Sequence, residues 1–464
     1  MNNNFYKIAA LLILIPVMVK SQNNLSAGST VESSKKILNG FVRGGFYGGI
    51  DKADDRLSIP SAFSDLAFKL DAGDGKRFKG YADLMFRYGT EFNEPVTRFD
   101  LREAYVTVNG KTWDISAGQK IIKWGRADFT NPTQKLSPQN LLSRSTDHED
   151  MDMGNLLMNA RWYPSPVFSI EAVAIPYYRS SVLLIEPLDL PSYVNISQIE
   201  SLITDKKMFT YGVKANFQIT GIDFSFSWFD GYDPMPGVKL TNFSIDTIGF
   251  IPSPSASLSM TPYKIKNIGF DFETTVGSFG FRGEAAWTIP SLSFKSYEYV
   301  PCQEIKWVAG ADWMKGNWRI TGEYSGKAIP DFEPTTVGSF IGSELDPTAL
   351  AVLLAIPGFD LQDYVRQQVG SFNRLYNYQL EKSYHSAGLR VETDLLYGKL
   401  TPSVTALYNF TSHDFMIMPE LVWKPVDGLS VTAGGEYFSG RKGSVYDIAD
   451  EFMNCIKIGL KVNF

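Results

Sequence analysis

The chain has 464 residues, with 44 lysines and arginines against 50 aspartates and glutamates and a formal net charge of −6. The two signs are well mixed, with no basic stripe or arginine-rich arm, which argues against nucleic acid as a partner. Aromatic residues make up 14% and glycines number 39, a composition suited to a lipid-facing sheet with aromatic girdles and tight corners.

At the N-terminus, Lys7 precedes an apolar run from Ile8 to Val19 that Pro16 interrupts. Val19-Lys20-Ser21 before Gln22 is an acceptable cleavage site, so residues 1–21 read as a signal peptide for export. No cysteine sits near the junction, which argues against a lipoprotein. Residues 22–38 are small and polar and read as a flexible leader, with no plug-sized domain ahead of the first strand. No later run approaches the ~20 apolar residues of a spanning helix.

From Asn39 onward, alternating segments recur at 40–50, 62–71, 76–89, 97–109, 111–121, 155–164, 167–177, 208–219, 221–231, 263–276, 278–288, 303–315, 317–326, 383–397, 399–411, 413–424, 428–440 and 452–464. Such period-two alternation marks strands with one apolar and one wet face. Phe279, Phe281, Ala285 and Trp287 oppose Arg282 and Glu284, and Trp318, Ile320 and Tyr324 oppose Arg319 and Glu323. A charge on a lipid face costs ~2–4 kcal/mol near the midplane, so these charges must point inward. One register slip, between Phe99 and Val108, calls for a β-bulge near Arg102 or a shifted boundary.

Connections after even-numbered segments are tiny, as in Asn109-Gly110-Lys111, Gly277-Ser278 and Lys315-Gly316-Asn317. Those after odd segments are mostly long: 122–154, 178–207, 232–262, 289–302 and 327–382, with a hairpin near Ser412 as the exception. Short periplasmic turns alternating with long external loops predict an all-β fold, a transmembrane antiparallel β-barrel of about 18 strands (16–18) formed by residues 39–464. Both termini then face the periplasm. The last segment alternates Ile456, Ile458, Leu460, Val462 and Phe464 with Lys457, Gly459, Lys461 and Asn463. It resembles the final strand of bacterial outer-membrane barrels, whose terminal Phe belongs to the assembly signal. Lys457 and Lys461 should then lie toward the periplasmic mouth.

The loop after the fifth strand opens with Gly118-Gln119 and Trp124-Gly125-Arg126-Ala127-Asp128. Over residues 98–180 the chain resembles a Gram-negative porin-like outer-membrane family, catalogued as domain of unknown function 1302 and akin to alginate-export barrels. The resemblance implies a barrel of the transport class and carries no catalytic residues. At about thirty residues the loop is long for a connection without its own structure. It is placed to fold inward as a constriction, with Trp124 as anchor, Gly125 as a sharp turn and Arg126 with Asp128 fixing it by pairing. Lys120, Lys123, Trp124, Arg126 and Asp128 are its candidate constriction residues, and Arg87, Arg161, Arg282, Glu284, Arg319, Arg390 and Glu392 are candidate lining residues. The bland alternative is a loop folded over the rim and charges that merely pair across strands.

The acidic run Asp147-His148-Glu149-Asp150-Met151-Asp152 lacks EF-hand spacing and reads as a solvated tip rather than a calcium site. All three histidines, His148, His385 and His413, fall at external strand ends. Ser386 adjoins His385, but neighbours on a strand face opposite ways, so a lipase-like triad is not expected. The loop 327–382 should be partly helical, with Asp346-Pro347 as one helix start and a second turn from Asp360, and residues 193–204 could add a short helix. Cys302 and Cys455 lie six strands apart and should stay unbridged.

The reading that follows is a non-enzymatic, cofactor-free porin-like channel for small solutes. It sits among outer-membrane lipid and lipopolysaccharide, with a homo-oligomer open as an option. Two alternatives are a channel for hydrophobic or amphipathic substrates and a non-transporting barrel whose loops bind a surface partner.

Overall fold

The computed structural model describes residues 35–51, 56–74, 76–185, 188, 190–197, 202–203, 208–248, 251–340, 352 and 355–464. The expected signal peptide, most of the leader and the Asp346-Pro347 helix start lie outside the described residues.

Eighteen wall strands follow in chain order: β1 (Lys35–Asp51), β2 (Arg56–Gly73), β3 (Phe78–Glu91), β4 (Glu94–Asn109), β5 (Trp113–Lys120), β6 (Asn155–Ser165), β7 (Phe168–Ile175), β8 (Thr210–Ile219), β9 (Ile222–Tyr232), β10 (Lys264–Val276), β11 (Phe279–Pro290), β12 (Glu304–Lys315), β13 (Trp318–Ala328), β14 (Ser383–Thr393), β15 (Leu400–Asn409), β16 (Asp414–Trp423), β17 (Leu429–Ser439) and β18 (Cys455–Asn463). Each pairs antiparallel with the next. Between β1 and β18 the register runs from Phe41 opposite Asn463 to Gly48 opposite Ile456, which closes the barrel and leaves no open edge. Phe464 extends the seam, because its N–H and carbonyl both bond Gly40 at 3.0 Å.

Every expected strand is present, and the bulge falls where the parity slipped. Asp83 pairs with Glu103 and Leu84 with Leu101, so Arg102 is the unpaired extra residue. Strand lengths differ from expectation at the start of the barrel, where β1 and β2 have 17 and 18 residues. Lys35 already pairs with Gly73, so the end of the expected leader belongs to β1.

Burial runs opposite to that of a water-soluble protein. Ile456, Ile458 and Leu460 on β18 are 69%, 54% and 51% exposed on the outer face. Inside, Arg43, Arg87, Asp271 and Lys457 are at most 1% exposed. Only a wall that meets lipid outside and polar groups inside satisfies both faces.

Turns at one end are short. At the β2–β3 turn the Asp74 carboxylate accepts backbone N–H groups from Phe78 at 2.9 Å, Lys76 at 2.9 Å and Arg77 at 2.7 Å, which holds it below the ordinary carboxylate range. Long connections gather at the other end, after β5, β7, β9, β11, β13 and β17. The one after β13 carries helix α1 (Leu361–Tyr376), capped by Asp360, and the one after β17 carries helix α2 (Val445–Met453), capped by Ser444.

Residues 193–204 hold no helix among the described positions. Val194–Ser197 is instead a strand, parallel to Ile251–Thr261, which pairs antiparallel with Gly237–Ile248. β-Branched Val194 and Ile196 suit that small sheet, and its Val238, Leu240 and Leu258 pack on Val365, Val369 and Phe372 of α1.

Candidate functional site

The loop after β5 does not lie over the rim. Trp124 is buried, its indole N–H donates to Glu171 of β7 at 3.1 Å, and its ring fills the space over Gly212 of β8. Gly125 has φ +91°, and a Cβ there would sit 2.3 Å from the Asn131 side chain and 2.5 Å from that of Glu284, so any other residue would be strained and would displace both.

Beyond it the tip lies inside the barrel against the wall and is held by wall carboxylates near the middle of their strands. Glu284 of β11 accepts the backbone N–H groups of Arg126 and of Ala127, the latter at 2.6 Å, and the Thr133 hydroxyl at 3.2 Å. Glu323 of β13 accepts three successive N–H groups, from Asp128 at 2.9 Å, Phe129 at 3.2 Å and Thr130 at 3.0 Å. Arg126 reaches Asp271 at 2.7 Å and Glu273 at 3.1 Å on β10. Asp128 meets Arg282 at 2.8 Å. Arg126 and Asp128 therefore fix the loop through the wall and not through each other, because the wall offers each an opposite charge.

The return limb docks on the opposite wall. Buried Asp65 of β2 accepts from Arg87 Nε at 2.7 Å and Nη2 at 2.9 Å, and from Arg43 Nε at 2.9 Å. Arg87 also donates to Glu91 and, at 2.7 Å, to the carbonyl of Arg144 in the loop. Arg144 itself pairs with Glu436 of β17 at 2.7 Å. The acidic run is a clamp: Asp147 pairs with Lys461 at 2.7 Å, Asp150 with Arg43 at 2.6 Å and Arg102 at 2.7 Å, and Asp152 with Lys123 at 2.6 Å. Among the described residues no group of three or more His, Cys, Asp or Glu is arranged to hold a metal.

Burial alone would raise the Asp150 carboxyl, but Arg43 and Arg102 outweigh it and leave it below the ordinary range. A depressed folded value stabilises above the unfolded pKa, about 3.9 for Asp, and that contribution is lost as pH falls through the folded value. The clamp should thus hold at neutral pH and loosen only below about pH 4. Limited proteolysis of the loop against pH checks this. The Asp150→Asn protein should be cut faster at neutral pH and show less of the acid rise.

The twelve candidate residues separate into groups. Asp128, Arg319, Arg390 and Glu392, with Thr321, line an open crevice of about 330 Å³ below the tip, on its short-turn side. Arg390 pairs with Glu392 at 2.9 Å, Arg319 shares that carboxylate, and both arginine side chains stay about half exposed. Arg282 joins them through Asp128, whereas Trp124, Arg126 and Glu284 secure the loop. Arg87 lines no open space, since it is fully buried in the opposite cluster. Lys120 lies on the wall, donating to Ser116 at 3.2 Å, and Arg161 pairs with Glu171 at 3.0 Å. Lys457 is buried between Glu420 and Glu436 at 3.0 and 3.5 Å, so neither it nor Lys461, held by Asp147, stands free at a mouth.

Sequence reasoning missed Glu323 as a loop anchor, Phe129 as the tip and Gly388 of β14 opposite it. A Cβ at Gly388 would lie 2.6 Å from both the Phe129 ring and Leu407. Around the barrel mouth, Ser386 lines the lumen side of β14 while His385 contacts Tyr324 at 2.6 Å, so the two do not form a nucleophile–base pair. Cys302 and Cys455 are free and buried, and burial pushes the Cys302 thiol up to about 11.

No protein-family model matches the chain, that of the resembled family included, and no curated protein matches it. Solved structures do. The crystal structure of Acinetobacter baumannii OccAB2 aligns over 94% of this chain and 99% of its own, with a TM-score of 0.53 at 10% identity. The Pseudomonas aeruginosa outer membrane protein OpdK aligns over 93% and 98%, with a TM-score of 0.52 at 8% identity. The structure of OpdK with vanillate gives 0.51 at 8% identity over 92% and 98%. At such identities the likeness is one of fold, a closed barrel of the same class.

Proposed function

We propose that the protein is an outer-membrane channel for passive passage of small polar solutes, narrowed at mid-height by the loop after β5. The observation that carries this reading is the tip Asp128-Phe129-Thr130, tied by three N–H groups to Glu323 and laid against Gly388, with open space on either side of it. A charged, wet lining supports polar solutes over the hydrophobic or amphipathic alternative. The fold shared with an outer membrane protein supports the location, and the short turns at one end support a periplasmic side for that end and for Phe464. Vanillate, an aromatic carboxylate held by one barrel of this class, is a size guide for solutes that such a lumen admits.

Planar-bilayer recording tests the proposal. The purified protein should give discrete ohmic steps, and Phe129→Ala should enlarge them, since the ring is what meets Gly388. No current at any voltage, or steps unchanged by Phe129→Ala, would overturn the channel or the constriction respectively.

A further inference from the structure

Above the loop tip, on its long-loop side, lies a cavity of about 230 Å³. Phe129 and Thr130 form its floor, the upper halves of β13, β14 and β15 its wall, and Tyr378 from the connection after β13 and Tyr446 from α2 its roof. The rings are held stiffly. Tyr378 packs edge-on against Tyr384 at 5.8 Å and Tyr446 edge-on against Phe438 at 5.3 Å. Between them Ser325, Ser386 and Asn409 add hydroxyl and amide groups.

The charges at this cavity are already committed. Lys306 and Lys327 both pair with Glu304, at 2.6 and 3.1 Å, and Lys327 also donates to the Asn377 carbonyl at 2.5 Å. Glu323 is filled by the loop N–H groups, and Asp414 accepts the Ser412 hydroxyl at 2.7 Å and the Tyr446 N–H at 3.3 Å. With Glu304 counted, two cations stand against three carboxylates. An anion entering here would lose hydration and meet no uncommitted cation. A neutral solute loses less, and its apolar face and hydroxyls match rings interleaved with neutral hydrogen-bonding groups.

We infer that this cavity is a binding site for small neutral polyhydroxylated solutes of the sugar or glycoside class, with Phe129 as its floor. The inference rests on the channel reading for the claim that such a solute goes on to pass the tip. Binding itself is read at equilibrium, so a failed site leaves conductance intact, and a silent bilayer leaves binding intact.

Titration calorimetry on the full-length protein in detergent, with two probes differing in one group, tests the site. Phenyl β-D-glucopyranoside should bind saturably, and phenyl β-D-glucuronide, which replaces the hydroxymethyl with a carboxylate, roughly tenfold more weakly. Phe129→Leu, which removes the ring, and Ser386→Val, on a wall that forms without the loop, should each weaken the glucoside by about five- to tenfold. Heat-modified mobility on gels would verify that both variants are folded. Glucuronide binding as tightly as the glucoside, no saturable binding of the glucoside, or unchanged affinity in both variants would each overturn the assignment.

Discussion

Glu323→Ala should convert the proposed channel from one dominant conductance to a larger, noisier one. In the wild type a single carboxylate holds Asp128, Phe129 and Thr130 by their backbone N–H groups. Hydrogen bonds to a charged group contribute about 1.5–3 kcal/mol each in a desolvated setting, and water in the lumen recovers part of that when they are lost. A net loss of even ~2 kcal/mol changes the docked-to-undocked ratio by roughly thirtyfold. Once undocked, Phe129 leaves Gly388 and the gap widens. Glu323→Gln keeps one acceptor oxygen and should fall between the two. Glu284→Ala should act in the same direction through Arg126 and Ala127, whose N–H groups it accepts. Single-channel amplitudes and open-level noise in planar bilayers are the readout. Amplitudes matching wild type in both alanine variants would show that the tip is not held by these carboxylates.

The contrast between wall and loop explains what the sequence could reveal. Alternation is local, and lipid enforces it: Phe279, Phe281 and Trp287 must sit opposite Arg282 and Glu284, so one reading frame survives per strand. Even the Arg102 bulge shows, as a break in parity between Leu101 and Ala104. That Glu284 and Glu323 face inward was legible on the same grounds. Which loop N–H groups they catch was not, because that depends on the stagger of strands far apart in sequence. The same gap hid Phe129 against Gly388, and made Arg87 look like lining when the return limb covers it. Two misses left local traces. Ala256, Leu258 and Met260 alternate with serines, a strand pattern inside what read as a plain loop, and Ser444 three residues before Asp447 is an N-cap signature for α2. The 193–204 stretch went the other way, since Val194 and Ile196 gain more from pairing beside Leu258 than from a short isolated helix.

Arg87→Ala should cost more stability than any other single change in the lumen, about 3–5 kcal/mol. The guanidinium is fully buried, bridges both oxygens of Asp65, pairs with Glu91, and stacks 3.8 Å from the Phe63 ring centre. It also ties the Arg144 carbonyl to the wall at 2.7 Å. Truncation leaves Asp65 buried with Arg43 as its remaining arginine, strips a donor from Glu91 and removes one of the ties on the return limb at Arg144. Desolvated carboxylates that lose a partner cannot be rehydrated unless the loop lifts, so the cost falls on barrel and loop together. Arg87→Lys keeps the charge but loses the two-pronged contact and the planar stack, and should recover less than half of the loss. The unfolding midpoint, followed by heat-shifted gel mobility or urea titration in lipid vesicles, measures this. Proteolysis near Ser143 and Arg144 should rise in step with it. An Arg87→Ala midpoint within about 0.5 kcal/mol of wild type would mean that water replaces the guanidinium and that the cluster is wetter than its burial implies.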